Sequence, residues 1–250
     1  MMESVPSDGL AVAIDCGGEY LSVALASYRE TQSGLEIVPI DSFLEHRGHR
    51  HADIVLGELA AMLARHDLPK DMLRMVAAGR GPGGFTGVRV GLATAQGVAM
   101  GLDIPFWGVC SLETIALNLR HEPGLVAALI DAKRGQVYAA LFEVGKNREL
   151  RCVSEPEVAD PDALAAKYTE RAAGRQIHFI GSGALAYELA TDLDEAVHQP
   201  SALSTLDLAI RQWASSGFLE AGMSVDPIYL RRSDAEIDYE RRHGKGTGSG

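Results

Sequence analysis

The residues in this chain best suited to chemistry begin with glycine. After an apolar run at Met75–Ala78 the sequence reads Gly79-Arg-Gly-Pro-Gly-Gly-Phe-Thr-Gly-Val-Arg-Val-Gly91, and a helical pattern starts at about Thr86. Strand, glycine turn and helix in that order can hold a phosphate. Glycine permits positive φ and close approach, and a helix start presents unpaired N–H groups to an anion. The turn itself is Gly81, Pro82, Gly83, Gly84, Phe85 and Thr86, with Phe85 as anchor and Thr86 as cap of the helix. Two phosphate motifs fail on it. A P-loop closes with lysine and a hydroxyl residue, whereas Gly87 is followed by Val88. A G-x-G-x-x-G match exists at Gly79, Gly81 and Gly84, but a dinucleotide fold wants an acid ending the next strand, and Asp103 precedes that strand. The plainer reading is a tight turn that packs one helix closely on a sheet.

The helix says more than the turn. Gly87, Gly91, Ala95 and Ala99 recur every fourth residue and form one stripe nearly free of side chains. Such a stripe lets a neighbour approach the backbone, and that neighbour is either the chain's own sheet or a second helix, internal or from another subunit. Arg89 lies away from the stripe, placed to bind a partner's acid or to snorkel. Cys16, Cys110 and Cys152 are odd in number, far apart and without C-x-x-C spacing, which favours reduced thiols in a cytoplasmic protein and offers no metal cluster.

The elements that must position these residues fit a globular protein. With 250 residues and 46% hydrophobic content, the chain has enough apolar side chain for one large or two smaller domains. Its formal net charge of -11 argues against gripping nucleic acid through phosphates unaided, so a nucleic-acid role requires a partner. Met1 to Gly9 is polar with Pro6 and does not read as a secretory signal, and no apolar run approaches a membrane span. Leu10–Ile14 reads as a buried strand ending at Asp15, followed by a Cys16-Gly17-Gly18 turn and a return strand over Leu21–Ala26. A third strand spans Leu35–Phe43, and a helix from about His51 to Arg65 carries Ile54, Val55, Leu59, Met62 and Leu63 on one face. Ser111 caps a further helix. The pattern then restarts: Leu125–Ile130 ends at Asp131, and Val137–Phe142 returns. One constant offset carries Ile14-Asp15 onto Ile130-Asp131 and Ala24-Leu25 onto Ala140-Leu141, which points to an internal duplication. Asp160-Pro161 opens a helix, Gln176–Ile180 enters a Gly181-Ser-Gly183-Ala turn, Ser204 or Thr205 caps another helix, and Pro227–Arg231 closes the fold.

Two halves that each open on strand, acid, turn and strand resemble the actin-like, Hsp70-like and sugar-kinase-like ATPase fold. Within it, Gly81–Gly91 and Ile104-Pro-Phe-Trp-Gly-Val-Cys-Ser-Leu112 closely resemble the long signature of the TsaB (YeaZ) family. Asp131-Ala-Lys-Arg-Gly-Gln-Val-Tyr138 and Pro227-Ile-Tyr-Leu-Arg231 are similar to its shorter pieces, in the same order, so the resemblance runs from about residue 10 to 232. It implies an α/β protein of two actin-like (ribonuclease H-like) lobes, each with a mixed sheet of the five-stranded type flanked by helices. The expected division is a flexible 1–9, an N-terminal lobe over 10–120, a C-terminal lobe over 121–232 and a flexible, basic, glycine-rich tail over 233–250.

The resemblance also implies a function: a subunit without activity of its own in the system that forms threonylcarbamoyladenosine beside the tRNA anticodon. The implied partners are a TsaD-type catalytic subunit, a TsaE-type ATPase and, as an alternative pairing, a second copy. The tRNA is met only through the complex, with ATP and metal on the partner subunits and none held by this chain alone. Pairing is implied through the two N-terminal helices, and the expected interface is Gly87, Gly91, Ala95, Ala99, Ile54 and Val55. TsaD-like proteins take their metal from two histidines four apart on the first helix. Here His46, His49 and His51 do not have that spacing, so no metal site is expected. ATP-using members hold phosphates in the turns after the two acids. Asp15, Gly17, Gly18, Asp131, Gly181 and Gly183 are therefore candidate remnants of a nucleotide site, with capping of the turns as the alternative role for the acids. Lys133 and Arg134 stand where those ATPases want glycine. The competing functional readings are a small phosphotransferase of the sugar-kinase type, which requires ATP near Asp15 and Asp131, and a metallopeptidase, which requires the metal site.

Overall fold

The computed structural model describes residues 8–18, 20–32, 34–46, 52–146, 149–216 and 225–231. Strands β1 (Asp8–Asp15), β2 (Tyr20–Thr31) and β3 (Gly34–His46) form an antiparallel meander. β4 (Leu73–Gly79) lies parallel to β1, and β5 (Phe106–Val109) lies parallel to β4, giving the order β3-β2-β1-β4-β5. The second half repeats the scheme. β6 (Gly124–Lys133), β7 (Gln136–Val144) and β8 (Leu150–Ala159) are antiparallel, β9 (Ile177–Ile180) joins β6 in parallel, and the order is β8-β7-β6-β9. Two α/β lobes of actin-like type are thus present. The second sheet has four strands among the described residues, one fewer than expected.

Alternation along the strands assigns each face its helices. In β1 the residues Leu10, Val12 and Ile14 face helices α1 (Ala52–Arg65) and α2 (Phe85–Leu102). The intervening Ala11 and Ala13, with Ala24, Ala26 and Ala77, form a shallow face that receives α6 (Ala202–Ser216) through Leu206, Ile210 and Trp213. In the second sheet Val126, Ala128 and Ile130 face α3 (Ser111–Leu117), while Leu125, Ala127 and Leu129 face α4 (Pro161–Ala172) and Ala184 of α5 (Ser182–Ala186).

The connecting helices therefore cross over. α3 precedes residue 120 yet packs on the second sheet, and α6 follows it yet covers the first. A cut at 120 separates the sheets and not their cores. Asp8 and Gly9, expected to be flexible, pair with Arg29 and Tyr28 at the start of β1. The expected flexible tail over 233–250 lies outside the described residues.

Several expected caps differ. Cys110 is the N-cap of α3, with Ser111 its first residue, and Gly84 is the N-cap of α2, ahead of both Phe85 and Thr86. Ser204 and Thr205 lie inside α6, whose first amide, Ala202 N, donates instead to the buried Ser22 hydroxyl of β2 at 2.9 Å. The true cap comes from 180 positions away in sequence, which local spacing cannot reveal.

One side chain ties the crossover together. Asn118, just past α3, donates to the carbonyls of Val197 at 3.0 Å and Gln199 at 2.8 Å and accepts from Ser204 Oγ at 2.8 Å. Removing the amide orphans all three partners, each worth about 1 kcal/mol or more when part-buried. Asn118→Ala is expected to lower unfolding free energy by about 3 kcal/mol, read from denaturant midpoints at unchanged m-value.

Candidate functional site

The two acids close their own turns. Asp15 Oδ1 accepts from Gly17 N at 2.9 Å, and Asp131 Oδ1 accepts from Lys133 N at 2.8 Å, the same residue-plus-two bond in both halves. The halves differ in what surrounds that bond. Asp15 is 1% exposed, its carboxylate over Gly79, with only the Ser111 hydroxyl at 3.5 Å beside the Gly17 amide. Gly79 has to be glycine, because a Cβ there falls on the Asp15 carboxylate. Asp131 is engaged by Lys133 Nζ at 2.8 Å, and Arg134 and Gly135 have φ of 58° and 73°, as a tight two-residue hairpin turn requires. The lysine leaves this turn filled by its own ion pair. The constant offset also breaks: Asp15 pairs with Ser22 but Asp131 with Val137, so the first turn is one residue longer and the return strands match one position out of step.

Burial pushes the Asp15 carboxyl up to about 6, against the smaller lowering by the Gly17 and Ser111 hydrogen bonds. Because the folded value lies above the unfolded 3.8, the contribution to stability is complete below 3.8 and is lost as pH rises through 6. Asp15→Asn keeps an acceptor for Gly17 and removes the charge. At pH 8 the variant is expected to be more stable than the parent by about 2–3 kcal/mol, with the gap closing as pH falls from 6 towards 4. Chemical denaturation across that range reads the difference directly.

The glycine turn is a three-way junction. Gly84 N donates to Gly17 O at 2.7 Å, Ser111 N to Gly81 O at 2.8 Å, and Ile228 N to Arg80 O at 2.7 Å. Gly83 lies against the Gly17 backbone with no room for a Cβ, and Gly81 combines φ of 85° with a cis bond to Pro82. The turn joins the first hairpin, the start of α3 and the closing segment. Arg89 belongs to the same junction. Its Nε donates to the Tyr229 hydroxyl at 2.8 Å, and its guanidinium covers the Phe85 ring, which stacks on Tyr229 at 4.4 Å.

The small-residue stripe faces inward. Gly91 is buried, Ala95 and Ala99 are 0% exposed, and all pack with β1 and Cys16 in the monomer's core. A Cβ on Gly91 would stand 3.3 Å from Cys16 Cβ, so the thiol fills the space that the glycine leaves. Val55 is likewise fully buried, Ile54 packs against the same cluster, and Gly87 is half-buried. Gly91, Ala95, Ala99 and Val55 are thus taken up inside the chain's own fold, and the neighbour that requires the smallness of the stripe is its first sheet. Burial raises the Cys16 thiol above its usual range, leaving it an inert filler.

The opposite faces of the same helices are open. On α2, Arg89, Ala93, Gly97, Met100 and Gly101 are exposed; on α1, Leu56, Gly57, Ala60 and Ala64 are. Leu56 and Met100 are 54% and 62% exposed, and between the helices runs a groove lined by Leu56, Ala60, Leu63, Val98, Gly101 and Leu102. A second run of small residues, Ala93, Gly97 and Gly101, thus lies on the outer side, with no atom within 4 Å of a Cβ built on Gly97 or Gly101. Its four-residue period is present in the sequence beside that of Gly91, Ala95 and Ala99.

Comparison with known proteins decides what this scaffold is. The family model described as tRNA N6-adenosine threonylcarbamoyltransferase, TsaD, matches residues 45–239. The tRNA threonylcarbamoyladenosine biosynthesis protein TsaB of Bacillus subtilis is 34% identical over 68% of this chain and 69% of its own length. TsaB of Escherichia coli is 30% identical over 90% of this chain and 95% of its own. The chain belongs to the TsaB family. A Pseudomonas aeruginosa crystal structure, described as an uncharacterized protein with similarity to peptidase YEAZ, superposes with a TM-score of 0.73 at 29% identity. The match covers 89% of this chain and all of that one.

The two helices expected over about His51–Arg65 and Thr86–Gly101 are present as α1 and α2. No group of three or more His, Cys, Asp or Glu residues able to hold a metal is found among the described residues. His46 packs edge-on against Tyr20 at 5.1 Å, while His49 and His51 lie outside the described residues. Gly181 and Gly183 are needed for packing in this TsaB chain. At Gly181, with φ of 107°, a Cβ would collide with the Leu129 carbonyl, and at Gly183 it would press on Val137 and the Ile130 backbone. No described helix is long and apolar enough to cross a membrane.

Proposed function

We propose that this chain is a non-catalytic subunit of the system that forms threonylcarbamoyladenosine in tRNA, acting in the cytoplasm by binding and activating a TsaD-type catalytic subunit. The names of its TsaB relatives support the pathway. The observation that carries the subunit reading is the apolar stretch on the outer surface of α1 and α2, edged by the charges of Arg89 and Lys70. There Leu56, Gly57, Ala60, Ala93, Gly97, Met100 and Gly101 are all exposed, and an apolar groove runs between the helices. Small residues on facing helices allow close backbone approach, and exposed Leu and Met supply the apolar area that a stable contact buries. The fit to a TsaD model supports a partner of related fold, so that two like helix pairs meet. A second copy of this chain is the competing occupant.

The turns support a chain that holds no ATP by itself. Asp131 is matched by Lys133 within its own hairpin, and Gly18 stands 3.9 Å from Pro200 in the Cβ sense, so its glycine surface faces protein. ATP, metal and the TsaE-type ATPase belong to the rest of the assembly, and tRNA is met through it, as the net charge of -11 favours. The test is a reconstituted modification reaction with TsaD-type and TsaE-type subunits, tRNA and ATP. Omitting this chain is expected to abolish product, and the chain alone with MgATP to show no turnover. Undiminished modification in its absence overturns the reading.

A further inference from the structure

A short segment, Asp194–Pro200, bridges the turn that follows β1 and the turn that follows β9. Residues Asp194–Pro200 include a 3-10 turn, Glu195–His198, that lies between the first hairpin turn and the start of α5. The segment touches both lobes. Tyr20 Oη donates to Glu195 Oε1 at 3.1 Å, and Pro200 lies against Gly18. Val197 packs into the core beneath α3, and Asn118 Nδ2 donates to the carbonyls of Val197 and Gln199. At the other end the buried His198 ring, 1% exposed, faces Gly181, whose amide donates to His198 Nδ1 at 3.1 Å. The segment thereby links Gly18 of the first half to Gly181 of the second.

That last bond depends on protonation. An imidazole nitrogen accepts a hydrogen bond only while it carries no proton, so Nδ1 must be bare and any proton must sit on Nε2. Once Nδ1 is protonated, two donors face each other. We propose that Asp194–Pro200 is a strap between the two lobes, latched by His198 on Gly181 and loosened when Nδ1 takes up a proton. The surroundings leave the control with few groups. Glu195 and Asp194 are the acids on the strap itself. α3 brings the neutral Asn118, and α5 brings Ser182, whose hydroxyl accepts from Asp131 N. Asp131 is paired with Lys133, and β9 brings His178, on the same strand face as Ile180. Burial holds the His198 imidazolium below the ordinary range, and Glu195 offsets part of that. The folded value lies below the unfolded one, so the latch's contribution is present above the ordinary histidine range and is lost as pH falls through the folded value.

Amide exchange of the isolated full chain, followed by NMR with intrinsic rates divided out, tests this. Protection at Gly181 is expected to fall at least fivefold between pH 8 and pH 5, while Leu129 and Ala140 in the core strands keep theirs. His198→Gln, a neutral acceptor at every pH, is expected to lose the pH dependence at Gly181, and Glu195→Gln to move the transition to lower pH. If His198→Gln fails to fold, the Nδ1 nitrogen shift of the parent reports the same event. It must change over the pH range in which Gly181 loses protection. Equal Gly181 protection at both pH values, an unchanged pH dependence in His198→Gln, or a parallel fall at Leu129 overturns the latch. None of these results touches the partner-subunit reading, because no partner is present.

Discussion

Gly97→Glu is expected to fold like the parent and to lose pairing with the TsaD-type subunit. Nothing lies within 4 Å of a Cβ at this position, so the monomer accepts the side chain. Glycine inside a helix costs up to about 1 kcal/mol relative to a good helix former, so the variant's melting temperature is expected to hold or rise slightly. Pairing is another matter. A carboxylate driven into an apolar helix–helix contact loses water, and about 3 kcal/mol of lost affinity is a Kd weakened by two orders of magnitude. Isothermal titration of the partner against parent and variant measures it. A Kd within threefold of the parent removes this face from consideration.

Gly91→Leu, six residues earlier on the same helix, is expected to do the reverse. Its Cβ already stands 3.3 Å from Cys16 Cβ and 3.5 Å from Sγ, and Cys16 is itself 1% exposed beneath the helix. Three further carbons have no room unless α2 lifts from β1, and overpacking of this kind costs about 3 kcal/mol or more. For a domain of ordinary marginal stability that is a large share of the total. The expected result is a lowered melting transition and exposed apolar surface in the monomer, before any partner is added. Ala95→Leu is expected to follow the same course, being 0% exposed within the same cluster. A folded Gly91→Leu monomer that fails only in pairing would restore the inner stripe as the interface.

The contrast between these two positions shows what was legible in the sequence. Strand alternation, the restart at Asp131 and the helix spans were readable because each is a local period, and the sheets follow them. The stripe was readable as a stripe but not as inner or outer. Gly91, Ala95 and Ala99 share a period with Ala93, Gly97 and Gly101, and only the contact with Cys16 and β1 tells the two apart. The site details that escaped depend on chain crossings. Ser22 capping α6, Asn118 holding residues 197–204, Tyr229 stacked on Phe85, and His198 on Gly181 all join segments that no spacing rule connects. β8 was missed because its residues alternate irregularly between half-buried and exposed, which leaves no clean period of two. Arg89, read as a candidate partner contact, is held by Phe85 and Tyr229 in a clasp formed by the far end of the chain.

The central claim is that the outer surface of α1 and α2 receives the catalytic partner. The most direct measurement is thiol labelling of a Gly97→Cys variant with and without the TsaD-type subunit. Cys16 and Cys110 are buried and silent, while the exposed Cys152 on β8 supplies an internal control on the other lobe. The account predicts that adding the partner slows labelling at position 97 by more than tenfold and leaves Cys152 unchanged. Unchanged labelling at 97 with protection of Cys152 instead would contradict it.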